Sequence, residues 1–217
     1  MSQVSVFRPL LGLQWKASKW AVVILLPLLI GLPIVVMSFG RRFSRDAFSS
    51  PAFDMVRAVE LWSPVFPILA ALTGAAFALA AWAWDHNTNH IYALSLPIER
   101  WRYALLKMAA GAVTLALPVL ALFIGALIAT ATTTLPDGLR AYPVSFAFRF
   151  LFAALIVYAI MFALAAGTMR TTLRVALALV VLVTLGGIFA LDDIVRILAT
   201  WPGPFAVFGG NWMMIDV

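Results

Sequence analysis

The chain has 217 residues, 64% of them hydrophobic and 11% charged, with a formal net charge of +6 and a mean hydropathy of +1.03. Soluble domains carry about 25% charged residues, so the composition excludes a water-soluble fold and points to a membrane-embedded one. The absence of cysteine excludes disulfides, thiolate metal sites and a cysteine nucleophile.

The whole chain, 1–217, reads as a single transmembrane domain: all-α and polytopic, with five to six transmembrane helices and an N-terminal interfacial helix. Residues 3–17 mix apolar and basic positions. Val6, Leu10, Leu13 and Ala17 fall at helical spacing, and Trp15 and Lys16 suit an interface. The stretch reads as an amphipathic helix on the membrane or as a lead-in to the first span. The apolar run that follows is longer than a signal-peptide core of roughly 7–15 residues, so it is expected to stay in the protein as a span.

Five spans are expected at about 20–39, 64–84, 104–131, 146–168 and 173–191. Pro27 and Pro33 sit inside the first, where a membrane helix tolerates them. Small residues crowd the second, Gly74 among them, and Gly111 and Gly125 occupy the third; such positions let helices approach closely. In the connection 40–63, Ser49-Ser50-Pro51 predicts a helix start at Pro51. In the connection 132–145, Pro136-Asp137-Gly138 predicts a turn. Arg149 is placed near a membrane boundary, within reach of the interface. The tail 199–217 is rich in Pro and Gly and reads as re-entrant, interfacial or a partial sixth span.

With the N-terminus cytoplasmic, eight basic residues fall inside and seven outside, so charge barely sets the orientation. No basic run interleaved with aromatics suggests nucleic acid.

One polar island interrupts this pattern, WDHNTNHIYALSLPIERWRY from Trp84 to Tyr103. His86 and His90 stand at i, i+4 beside Asp85. Without a clear third ligand, or the glutamate of an HExxH motif, they do not define a metal site. Asp85 and both histidines are expected at a span end, where polar side chains are solvated. After Asn89, apolar residues recur at helical spacing, and Pro97 breaks the helix before the next span. The island reads as a short helix and stiff turn facing water, suited to docking a soluble partner. No nucleophile–base constellation lies within the spans, so the chain is not expected to be an enzyme.

The run Asp85…His90…Leu94-Ser95-Leu96-Pro97-Ile98…Arg100…Tyr103…Lys107 resembles the membrane subunits, or permeases, of ABC-2 type transporters. In that family an acidic residue closes the second span, and a cytoplasmic coupling helix leads into the third. The resemblance implies a bacterial inner (plasma) membrane protein that forms the substrate path of an exporter. Its partners would be an ABC ATPase subunit, a second permease copy or related permease, and membrane lipid. ATP and Mg would belong to the partner, because this chain has no GxxxxGK[ST] motif, and no cofactor is expected in this chain. The implied ATPase-docking residues are Asp85, Asn89, His90, Tyr92, Leu94, Leu96, Pro97 and Arg100. Of these, Pro97 would fix the turn, and Asp85 and Arg100 would anchor its ends through an ion pair. The alternative is a non-transporting subunit that anchors or assembles a larger membrane complex.

Overall fold

The computed structural model describes residues 3–45, 51–87 and 99–166, together with 174, 177, 178, 207 and 212–216. Its elements, in chain order, are helices α1 (Gln3–Arg45), α2 (Pro51–Glu60), α3 (Val65–Asn87) and α4 (Arg100–Thr132), strand β1 (Arg140–Ala141), helix α5 (Pro143–Ala165) and strand β2 (Ile215–Asp216). Among the described residues, four helical segments are long and apolar enough to cross a membrane: Pro9–Arg42, Ala52–Ala83, Trp101–Thr132 and Pro143–Ala165. That is consistent with an integral membrane protein. The expected second, third and fourth spans coincide with α3, α4 and α5 to within a few residues, and α2 begins at the predicted Pro51. The expected fifth span, 173–191, lies outside the described residues apart from three positions.

At the N-terminus the structure agrees with the lead-in reading of residues 3–17. The interfacial helix 3–17 and the span 20–39 are not separate elements; α1 runs unbroken through Pro9, Pro27 and Pro33. A tertiary contact fixes this part of α1 on the bundle. Gln14 and Ser18 are buried. The Gln14 side-chain amide donates to the Phe77 carbonyl of α3 at 3.3 Å, and the Ser18 hydroxyl donates back to the Gln14 carbonyl at 2.8 Å. This part of α1 therefore packs along α3.

The helices pack most extensively as two pairs, α1 with α4 and α3 with α5. Glycine decides both crossings. A Cβ on Gly125 of α4 would lie 2.7 Å from Ile30 Cα of α1, and one on Gly74 of α3 would lie 2.9 Å from the Tyr158 nitrogen of α5. Without hydrocarbon–water driving force between helices in lipid, close backbone approach supplies the attraction through dispersion. Phe66 and Phe146 add an edge-to-face ring contact across the α3–α5 pair, centroids 4.7 Å apart.

At one end of the bundle the α4–α5 connection turns at Gly138, whose φ of +94° suits glycine, and Leu139 N–H closes the turn on the Pro136 carbonyl at 3.2 Å. The next two residues form β1, which pairs antiparallel with β2 in the register Arg140 to Asp216 and Ala141 to Ile215. The described tail residues thus return to this connection, with Trp212, Met214 and Ile215 buried against the helices. Arg149 serves this junction: it donates to the Val207 carbonyl at 3.0 Å and lies 4.8 Å over the Trp212 ring. The remaining residues of the 199–217 tail lie outside the described set.

Candidate functional site

At the opposite end, the last turns of α3 and the first turns of α4 bring four side chains together. Asp85 has no exposed surface, and Trp82, Tyr103 and Lys107 are buried as well. Tyr103 and Lys107 lie four residues apart on α4, so both face α3. The Tyr103 hydroxyl reaches both Asp85 carboxylate oxygens at 3.1 Å. The Lys107 ammonium forms an ion pair with Asp85 and donates to the Tyr103 oxygen at 3.3 Å. It also lies 4.4 Å from the centre of the Trp82 ring.

These contacts compensate one another. A lone charge at membrane depth costs about 2.5–3.5 kcal/mol on insertion scales. Here the carboxylate is met by a cation and a hydroxyl donor, and the ammonium by a carboxylate and an aromatic face. Trp82 extends the set to α5: its indole N–H donates to the Phe162 carbonyl at 3.0 Å, and the two rings are 5.1 Å apart. Tyr158 of α5 then donates to the Met108 carbonyl of α4 at 3.0 Å. Asp85, Tyr103 and Lys107 form a clamp between α3 and α4, braced by α5.

The clamp corrects the reading of Asp85. The sequence placed it at a solvated span end; the fold buries it fully. Its described partners are Tyr103 and Lys107, neither of which stood among the expected docking residues. Arg100, its expected ion-pair partner, is described as the first residue of α4. The other docking residues, Asn89, His90, Tyr92, Leu94, Leu96 and Pro97, lie outside the described residues. They fall between the two helices that the clamp joins. The signal for Tyr103 and Lys107 was present as their i, i+4 spacing. Their pairing with Asp85 needed the chain reversal that brings α4 back beside α3.

On the rim of this end, Glu99 pairs with Arg102 at 3.0 Å while both stay exposed, and Arg102 lies 5.2 Å from the Trp101 ring centre. Exposed pairs of this kind contribute little, about 0–1 kcal/mol. Among the described residues no group of three or more His, Asp or Glu side chains is placed to hold a metal ion. In comparisons with protein-family models, with curated proteins and with solved structures, nothing matches this chain.

Proposed function

We propose that this chain is the membrane subunit of an ABC-2 type exporter and is driven by a separate ATPase docked on the segment between Asp85 and Tyr103. The observation that carries the reading is the position of the clamp. Asp85 precedes the expected docking residues 89–97, and Tyr103 and Lys107 follow them. A push on that segment therefore reaches α3 and α4 together. A flexible connection between free helix ends would dissipate it.

The magnitudes are compatible with such a role. Driving a two-state equilibrium from 1:99 to 99:1 takes about 5.5 kcal/mol of differential binding. Breaking one partner out of a buried ion pair costs about 3–5 kcal/mol. The ATPase must bind the two states of this segment with different affinity, since equal affinity would move nothing. In this reading the path forms with a second permease copy or a related one, and the docking end, with the N-terminus, faces the cytoplasm of a bacterial inner membrane.

Affinity purification in mild detergent tests the proposal. An ABC ATPase is expected to accompany the wild-type chain, and Leu94→Asp or His90→Ala is expected to weaken that association without lowering the amount of folded chain. Recovery of an unrelated multisubunit complex with no ATPase would favour an anchoring or assembly role and overturn the proposal.

A further inference from the structure

Polar links between the two helix pairs, among the described residues, gather at the clamp end. The clamp itself joins α3 to α4. Gln14 of α1 reaches Phe77 in the half of α3 nearer Asp85. Tyr158 of α5 reaches Met108 in the first third of α4. Towards the other end the α4–α5 boundary changes character. A groove of about 330 Å³ opens there, with an entirely apolar lining that includes Ala116, Leu120 and Phe123 of α4 and Val144, Phe148 and Leu151 of α5. The α4–α5 hydrogen bond from Tyr158 to Met108 lies on the clamp side of this groove.

We infer that the bundle is a hinge: the α1–α4 pair and the α3–α5 pair move as two bodies about the Asp85–Tyr103–Lys107 clamp, and the α4–α5 groove is the gap that this motion widens and narrows. The close glycine crossings at Gly125 and Gly74 hold each pair together internally. Directional, buried polar bonds fix the clamp end. A gap between helices forfeits the dispersion contacts of its lining, so the groove holds α4 and α5 together less strongly than the clamp end does. A rotation of about 10° would move a point about 25 Å along α4 from the clamp by about 4 Å. The inference shares its clamp with the coupling proposal but stands without any ATPase. Failure to find such a partner would leave it untouched.

The chain contains no cysteine, so spin labels can be placed on engineered cysteines without removing native ones. Three label pairs at exposed positions report the motion in nanodiscs, diluted with unlabelled chain so that only distances within one chain are read. Ile124→Cys with Phe152→Cys spans the two pairs far from the clamp. Leu105→Cys with Ile160→Cys spans them near it. Leu72→Cys with Phe152→Cys lies within the α3–α5 pair. The far distance is expected to be broad by electron paramagnetic resonance, and the near and within-pair distances narrow. Lys107→Met is expected to broaden the near distance. Equal widths at the near and far positions would overturn the hinge, whether both are narrow or both broad. Should Lys107→Met fail to fold, Tyr103→Phe keeps the ion pair and removes one donor; an unchanged near distance in that variant would overturn the role of the clamp.

Discussion

The Lys107 ammonium sits 4.4 Å from the centre of the Trp82 ring while it is ion-paired with Asp85. One cation thus holds two residues of α3 that are three positions apart, on a single face of that helix. Because Trp82 also donates to the Phe162 carbonyl, a change at Lys107 is felt in α5 as well as α3.

Asp85→Asn is therefore expected to destabilise the chain by about 3–5 kcal/mol, since it leaves a buried ammonium without its anion. The double variant Asp85→Asn, Lys107→Met removes both charges. Its loss should be clearly smaller than the sum of the two single losses. Unfolding in detergent, followed by tryptophan fluorescence, measures all three. Strict additivity would show that the two charges do not interact.

Gly74→Ala places a methyl group against the α5 backbone near Ala154 and Tyr158. Overpacking of this kind is expected to cost about 1–3 kcal/mol. Gly31, also in a helix, has nothing within 4 Å of the position a Cβ would take. Gly31→Ala should stabilise the chain by up to about 1 kcal/mol through helix propensity. The same unfolding assay distinguishes the signs.

Much of this architecture was legible as hydropathy. The apolar runs at 64–84, 104–131 and 146–168 fix where α3, α4 and α5 lie, because a membrane helix must satisfy its own backbone and cannot end within the hydrocarbon. Ser49-Ser50-Pro51 marked the start of α2 and Gly138 the turn, since each needs only local chemistry. The burial of Gln14 was not legible, because it depends on meeting Phe77, 63 residues away. The clamp was half legible. Asp85, Tyr103 and Lys107 were visible as a spaced set, but the burial of Asp85 arises from the return of α4, which no local pattern encodes.

Arg149→Met is expected to loosen the tail from the bundle. It removes the donor to Val207 and the cation over Trp212, interactions worth about 1.5–3 kcal/mol and 0.5–2 kcal/mol in such settings. Limited proteolysis in nanodiscs should cut the tail about ten-fold faster or more when opening precedes cleavage. Arg149→Lys keeps the charge without the planar guanidinium and should fall between. An unchanged cleavage rate would show that the tail is held elsewhere.

The pairing of Arg140 with Asp216 settles a question of parity. Helices α1, α3, α4 and α5 run up and down the bundle, so after four passages Ala165 stands at the end where Gln14 and Asp85 lie. The strand at Ile215 stands at the other end, beside the start of α5. The first and last described residues therefore lie at opposite ends of the bundle. Reporters fused ahead of residue 3 and after residue 217 are expected to give opposite readings, one active in the cytoplasm and the other outside it. Matching readings would require the short β-pair to be broken in the membrane. The end of the bundle at which Ile215 lies is thus set by a β-pair two residues long, too short for a hydropathy window to register.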